Sequence, residues 1–309
     1  MKELVTRLLN LPPNKKPVFK KVLIIINPAA TRRKLKKVLK IIKKFFDTYK
    51  IDYEYWITKR PGDATKFAKR GVNLGYKLII AAGGDGTVNE VMNGIINTPA
   101  VLGILPLGTV NILALETKIP LNITKALNLI FTGRIKKMDI GKVNDRYFLL
   151  MCGCGFDSYA IYKVNLQLKK FIGGIAYIVS AFNSVFKYKP SLMHINIDNH
   201  RIDEIGYFVI VENVSSYGGS FKLAPYANIN DGLLDVCVFK KSGFWDLLRY
   251  SFGVAFGRHL DYPDVRYYKC RKVKVTASSN VLLHADGDLI GSLPASIEIK
   301  RGKLKLLVP

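Results

Sequence analysis

A chain of 309 residues, 49% of them apolar, is long enough for two compact units and too hydrophobic to be disordered. Its 48 Lys and Arg against 23 Asp and Glu leave a formal charge of +25. Such an excess attracts anionic membranes, nucleic acid or phosphorylated ligands, or else reflects a lysine-rich proteome.

From the start, Met1 to Lys21 holds Pro12, Pro13 and Pro17 and no apolar signal core, so no cleavable leader is expected. Val22 to Ile26 is a β-branched run that closes at Asn27-Pro28. From Arg32 to Tyr49, Leu35, Val38, Leu39, Ile42, Phe45 and Phe46 recur at helical spacing. That helix is apolar on one side and basic on the other, which predicts an apolar face on a sheet and lysines toward water or anionic lipid. Ile51 to Ile57 reads as a second strand, and a helix starts at Gly62-Asp63 and runs through Lys69. Lys77 to Ala82 is a third strand, Val88 to Ile96 a helix, and Val101 to Leu105 a fourth strand ending at Pro106. This alternation predicts a doubly wound parallel sheet.

The rhythm changes near residue 135. Strand patterns follow at Arg134 to Lys142, Tyr147 to Cys152, Met193 to Ile197, Tyr207 to Val211, Leu234 to Phe239, Lys272 to Thr276 and Leu304 to Val308. Turn signals at Asn144-Asp145 and Asp198-Asn199 favour antiparallel pairing. Helices are expected at Phe171 to Phe186 and Phe244 to Phe256. The former is broken by Gly173, Gly174, Ser180, Asn183 and Ser184 and falls short of the roughly twenty apolar residues of a membrane span. The reading is an α/β domain over residues 18–134 and a mainly antiparallel β-sandwich over 135–309, its last strand free to return to the first domain. Cys152, Cys154, Cys237 and Cys270 form no C-x-x-C pair and accompany only four histidines. Zinc is therefore not expected, and a reduced, cytoplasmic setting is the simpler reading.

The strongest chemical signal is Gly83-Gly84-Asp85-Gly86-Thr87-Val88-Asn89, between an apolar strand and a helix. Glycines let backbone approach a ligand closely, and a helix N-terminus offers amides and a dipole to phosphate. Thr87 can cap the helix or donate to a phosphate oxygen, and Asp85 stands where Mg²⁺ or a reacting hydroxyl would sit. An ordinary turn is the bland alternative. No G-x-x-x-x-G-K-[ST] and no G-x-G-x-x-G occurs, which disfavours a P-loop and a dehydrogenase-type fold. Leu105-Pro106-Leu107-Gly108-Thr109-Val110-Asn111 and Asn27-Pro28-Ala29-Ala30-Thr31 are further small-residue loops after strands. Loops at the carboxyl ends of parallel strands share one edge, so all three converge on a plausible nucleotide pocket.

NPAAT at Asn27 to Thr31, GGDGTVNEV at Gly83 to Val91, LPLGTVNILA at Leu105 to Ala114, GGSFKLAPYANINDGLLDV at Gly218 to Val236 and HADGDLIGSLP at His284 to Pro294 together resemble the diacylglycerol kinase catalytic family. Their order covers nearly the whole chain beyond its first twenty residues. The resemblance implies an ATP- and Mg²⁺-dependent lipid kinase of phospholipid metabolism. It places ATP on Asn27, Pro28, Ala29, Ala30, Thr31, Thr58, Gly83 to Asn89, Gly108, Thr109 and Asn111. It also implies a structural Mg²⁺ on Asp231 with the carbonyls of Asn228 and Leu233, where an Asn-Asp-Gly turn is the plainer alternative. The family usually has glutamate after Asp-Gly in the last motif, as its base. Asp288 stands there, one methylene shorter, with Asp286 two residues away as a competing choice, and a hairpin turn without chemistry is the third option. In this scheme Asp85 positions the ion and Asp288 deprotonates the lipid hydroxyl.

The partner expected is a lipid alcohol on an anionic membrane, approached peripherally from the cytoplasmic face. Leu168 to Phe186 either lines an acyl-chain cleft or is a core helix. An NAD kinase also carries GGDG and a β-rich second domain, but the PLGTVN and ADGD segments fit lipid kinases better. A non-catalytic membrane-binding module is the other alternative. Nucleic acid is not expected, because no aromatic-basic platform is visible. Oligomeric state stays open, a dimer included.

Overall fold

The computed structural model describes residues 17–31, 34–163, 189–217 and 221–309. The expected helix at Phe171 to Phe186, the acyl-cleft reading of Leu168 to Phe186, and Arg32 at the start of the basic helix lie outside the described residues. The chain forms two compact units, Met1–Met138 with Lys303–Pro309, and Asp139–Gly302.

In the first unit, strand β1 (Lys21–Ile26) leads through a 3₁₀ turn (Pro28–Thr31) to helix α1 (Leu35–Tyr49). Strand β2 (Asp52–Ile57), helix α2 (Asp63–Asn73), strand β3 (Leu78–Gly83), helix α3 (Asp85–Ile95) and strand β4 (Val101–Pro106) follow, then helices α4 (Ile112–Glu116) and α5 (Ile123–Thr132). The strands lie in the order β2-β1-β3-β4, all parallel. Leu306, near the chain end, pairs in parallel with Leu102. Strands β3 and β4 are buried throughout and β1 after its first residue, as continuous apolar runs covered on both faces must be; β2, at the edge, is half exposed.

The chain runs from β1 to β2 on one side and then crosses to β3 on the other. Right-handed crossovers therefore put α1 and α2 on opposite faces, and accordingly α1 packs with α5 while α2 packs with α3. Helix α1 buries Val38, Ile42, Phe45 and Phe46 and leaves Lys36, Lys37, Lys40, Lys43 and Lys44 exposed, the division its periodicity predicts. The reversal of strand order falls between β1 and β3. Ligands of open α/β sheets bind beyond the carboxyl ends of the strands at such a point.

The second unit contains the second half of β5 (Arg134–Val143), then β6 (Arg146–Phe148), β7 (Met151–Cys154), helix α6 (Phe156–Lys163), β8 (Met193–Ile197), β9 (Ile202–Gly206), β10 (Phe208–Glu212) and β11 (Leu234–Phe239). Helix α7 (Phe244–Ala255), β12 (Val265–Cys270), β13 (Lys272–Ala277), β14 (Leu282–Ala285), β15 (Asp288–Ser292) and the first part of β16 (Ala295–Val308) complete it. One antiparallel sheet has the order β12-β11-β10-β7-β14-β15. In the other, β16, β13, β8 and β9 pair antiparallel in that order. Phe208, Val236 and Phe239 from the first sheet and Ile195, Val275 and Ile297 from the second close a single sandwich core.

Two strand expectations need revision. The final strand begins at Ala295 rather than Leu304, because alternating Ala295, Ile297 and Ile299 already face the core. Tyr147 to Cys152 is not one strand: β6 and β7 belong to different sheets, and the break falls at Leu149 and Leu150. The cause is a side chain remote in sequence. One oxygen of Asp286 accepts the Leu149 amide at 2.8 Å, and the other accepts those of Leu150 and Met151 at 2.8 and 3.0 Å. Charged acceptors contribute about 1.5–3 kcal/mol per bond. Asp286→Asn puts an amide N–H where one acceptor stood and should cost at least about 2 kcal/mol. A lowered urea midpoint at unchanged slope would show it, whereas Asp288→Asn should leave the midpoint where it is.

Candidate active site

At the carboxyl edge of the parallel sheet the three small-residue loops are tied to one another. Strand β1 delivers Asn27, whose amide N–H bonds the Ala82 carbonyl at 3.0 Å. Its side-chain nitrogen donates to Thr87 Oγ1 at 3.0 Å, and its oxygen accepts the Ala29 amide at 3.0 Å. The Thr31 hydroxyl turns inward to the Pro28 carbonyl at 2.8 Å. Thr58 is buried just beyond β2, its amide bonded to the Ile26 carbonyl at 2.9 Å. Asn111 adopts φ 57° and closes its loop on Gly108, accepting that amide at 2.9 Å and donating to that carbonyl at 3.0 Å.

The helix of the glycine-rich segment begins at Asp85, earlier than the Val88 start that the apolar pattern suggests. Gly84 is its N-cap in extended conformation, so Asp85 and Gly86 occupy the first turn, where amides have no intrahelical carbonyl to bond. A Cβ on Gly108 would stand 2.6 Å from the Gly84 Cα and 2.9 Å from Asn111 Oδ1. The two loops touch backbone to backbone, and glycine is required there. Gly86 is different. A Cβ on it would meet nothing within 4 Å, and it sits in a helix, where alanine is worth up to about 1 kcal/mol more. The fold has no need of glycine at this position. Open space over the first turn of an eleven-residue helix fits a phosphate group.

The Asp85 carboxylate faces the second loop. It accepts the amides of Ile112 and Leu113 at 3.1 and 3.2 Å, and so caps α4. Burial pushes its pKa up, only partly opposed by those amide donors. Glu90, in the same motif, accepts the amides of Gly62 and Ala64 at 3.0 and 3.1 Å and so holds the start of α2. Thus Asn27, Thr31, Thr58, Asp85, Thr87 and Asn111 build the edge. Gly84, Gly86 and exposed Thr109 are left on its open side. Pro28, Ala29 and Ala30 form the 3₁₀ turn, Gly83 ends β3, and Val88 and Asn89 are buried in α3.

In the second unit the two aspartates of the last motif have separate fates. Asp286 holds backbone amides, as described. Asp288 opens β15, half exposed, with one oxygen paired to Arg146 at 2.9 Å. Of the two, Asp288 is the one whose carboxylate can meet a substrate. Beneath this hairpin lies a buried cluster that the motifs did not mark as functional. His284 Nε2 is 2.6 Å from Asp157 Oδ2, and the Tyr217 hydroxyl donates to the other Asp157 oxygen. Gly153 forms the floor: a Cβ there would sit 2.5 Å from His284 Nε2. Burial pushes the Asp157 carboxyl up, but the His284 charge and the hydrogen bonds from His284 and Tyr217 outweigh it, and the net pKa is lowered. The one sequence signal was a histidine inside the apolar run of β14.

The Asn228 to Leu233 segment forms a turn. The Asn228 side chain accepts the Asn230 amide at 3.0 Å, and one Asp231 oxygen accepts the Leu233 amide at 3.0 Å. Buried Asp139 fixes the turn by accepting the Gly232 amide at 2.7 Å. The other Asp231 oxygen meets Lys269 Nζ at 2.9 Å, and the same ammonium reaches the Tyr226 carbonyl at 2.7 Å and Asp235 at 3.5 Å. As arranged, Lys269 already supplies positive charge at the Asp231 oxygen where the expected Mg²⁺ would bind, so an ion there would have to displace the ammonium. Among the described residues no three His, Cys, Asp or Glu side chains cluster as metal ligands.

Comparison with known proteins agrees with this architecture. The model of the diacylglycerol kinase catalytic domain matches residues 21–143, and that of the YegS C-terminal NAD kinase beta sandwich-like domain matches residues 151–308. Diacylglycerol kinase of Bacillus subtilis (strain 168) is 34% identical over 279 residues, covering 89% of this chain and 92% of that one. Diacylglycerol kinase of Staphylococcus aureus (strain MRSA252) is 32% identical over 284 residues, covering 90% and 89%. The crystal structure of a diacylglycerol kinase from Bacillus anthracis str. Sterne superposes with a TM-score of 0.77 at 28% identity, covering 95% of this chain and 99% of that one.

Gly86→Ala should leave thermal stability equal or slightly higher while weakening nucleotide binding about tenfold, a difference of about 1.4 kcal/mol. Gly108→Ala, whose Cβ collides with backbone, should instead destabilise the first unit by about 1–3 kcal/mol. Calorimetric melts and nucleotide titration separate the two. For Asp157 the folded pKa is the lower one. Its stabilising contribution is therefore complete above the unfolded carboxyl value of about 3.9 and lost as pH falls through the folded value. Asp157→Asn should flatten the acid limb of a melting-temperature profile and, by breaking a buried pair, cost about 3–5 kcal/mol at neutral pH.

Proposed function

The chain belongs to the diacylglycerol kinase family, and from that premise we propose that it transfers the γ-phosphoryl group of ATP to the hydroxyl of diacylglycerol or a closely similar lipid alcohol. The observation that carries the reading is the open space over Gly86, within loops that otherwise interlock by their own side chains. Phosphoryl transfer passes through a loose transition state and asks little covalent chemistry of the protein; positioning and charge stabilisation do the work. The first-turn amides of α3 hold phosphate oxygens, and Gly84 and Gly86 let them come close. Asn27 keeps Thr87 in place, and Asp85 keeps the Gly108 to Asn111 loop in place. A magnesium ion bound with the triphosphate supplies charge neutralisation. The Asp85 carboxylate, held in place by backbone amides of the second loop, would accept hydrogen bonds from the water around that ion. Asp288 accepts the proton of the lipid hydroxyl, and Arg146 fixes the direction in which its carboxylate points.

The test is purified protein with γ-labelled ATP and magnesium, offered diacylglycerol, a sphingoid base, a prenol and, separately, NAD. Label should enter diacylglycerol in detergent micelles and stop when magnesium is chelated; label in NAD instead would overturn the proposal. Asp288→Asn should lower kcat about 10²–10⁴-fold, the usual weight of a general base, with nucleotide affinity preserved. A fully active Asp288→Asn enzyme removes the base assignment alone.

A further inference from the structure

Helix α7 has two apolar faces, and the sandwich core uses one. Leu247, Tyr250 and Gly253 are buried, and the Tyr250 ring packs 4.9 Å from Phe239 and 5.7 Å from Phe208. The outer face carries Trp245, Phe252 and, one residue past the helix end, Phe256. They are 78, 62 and 75% exposed. Spacings of seven and four residues put all three on one line along the helix. Single exposed apolar residues are ordinary, but a ridge of large aromatics marks an interaction surface.

The charges around the ridge indicate what it meets. Lys241 precedes the helix and Arg258 follows it, both exposed and neither in an ion pair with another of the described residues. Lys240 is paired with Glu204 at 2.6 Å. The acids of the helix region, Asp246 and Asp264, are both matched by Arg249. Asp261, in the turn behind the helix, is the remaining acid. A second copy of the chain is a poor partner. Two-fold pairing of this face sets Lys241 against Arg258 when the helices run antiparallel, and like against like when they run parallel, between chains of charge +25. An anionic bilayer suits both features: indole and phenyl rings settle at the boundary of headgroups and acyl chains, and flanking cations reach lipid phosphates.

We propose that the Trp245–Phe252–Phe256 ridge of helix α7, bracketed by Lys241 and Arg258, is the face by which this protein docks on anionic phospholipid bilayers. The proposal rests on the lipid kinase reading for its purpose, though the surface itself does not depend on it.

The chain has two tryptophans, so Trp56→Phe leaves Trp245 as the sole indole reporter. On vesicles of equimolar phosphatidylcholine and phosphatidylglycerol its emission should shift to the blue and the protein should float with the vesicles; on phosphatidylcholine alone both effects should be weak. The triple variant W245A, F252A, F256A, in the natural background, should lose vesicle affinity about tenfold or more. It should phosphorylate vesicle-borne diacylglycerol correspondingly more slowly, yet match the unsubstituted protein on a short-chain diacylglycerol dissolved as monomers. Unchanged vesicle binding by the triple variant overturns the proposal. So does a Trp245 emission already blue-shifted without vesicles in a protein that light scattering shows to be a dimer, since the ridge is then covered by a second copy. Should the unsubstituted protein phosphorylate neither form of diacylglycerol while Trp245 still enters anionic vesicles, the docking surface stands and the kinase reading falls.

Discussion

The first unit depends on one close approach, the backbone of Gly108 against the backbone of Gly84, locked by the Asp85 carboxylate on the amides of Ile112 and Leu113. Without it, the loops after β3 and β4 would be two independent turns with no common surface. With it, the first turn of α3 is backed by a second loop and becomes a shaped edge. A charged acceptor placed between helix termini satisfies donors that would otherwise be orphaned, and burial strengthens each such bond by excluding water. The same burial raises the Asp85 pKa, so the lock gains strength at some cost to the charge that makes it.

Carboxylates in the second unit divide along similar lines. Asp139, Asp286 and Asp157 are committed to amides or buried partners: Asp139 fixes the Asn228 to Leu233 turn, and Asp286 and Asp157 engage the last motif. Asp288 is set apart from them by exposure and by a single guanidinium contact. Two aspartates separated by one glycine thus have different physical roles because the hairpin points one inward and the other outward. The shorter side chain of aspartate at this position loses about one methylene of reach, and Arg146 restricts where its oxygen can be. For the proposed base role, a fixed short acid can serve in place of a freer long one provided the backbone that carries it is rigid, and the Asp286 hydrogen bonds stiffen that backbone.

The sequence made the parallel sheet legible because β1, β3 and β4 are unbroken apolar runs ending in loops of small residues, a pattern with few other readings. The three loops were legible for the same reason, as was the amphipathic division of α1. What could not be read was which polar side chains of the motifs face inward. Asp85, Thr87, Asn111 and Glu90 look like ligand residues in a linear string, yet their partners lie 26 to 60 positions away or within their own loop. The break between β6 and β7 was hidden likewise, because its cause lies 136 positions away. The Mg²⁺ expected at Asp231 met Lys269, a residue on a different strand that no local pattern connects to the Asn-Asp-Gly turn. Period and composition report elements; they do not report which buried carboxylate finds which amide.

Charge and aromatic surface act over different distances, and the two units carry them separately. The exposed lysines of α1 belong to a net charge whose pull on an anionic surface reaches about one Debye length, roughly 10 Å at moderate salt, and weakens as salt rises. The ridge on α7 works only on contact, through area removed from water, and salt does not screen it. Electrostatic attraction governs how often such a protein meets a membrane; burial of rings governs how long it stays. An enzyme whose acceptor lies within a bilayer needs both, because the first without the second gives encounters too brief for a nucleotide-loaded site to capture a lipid hydroxyl.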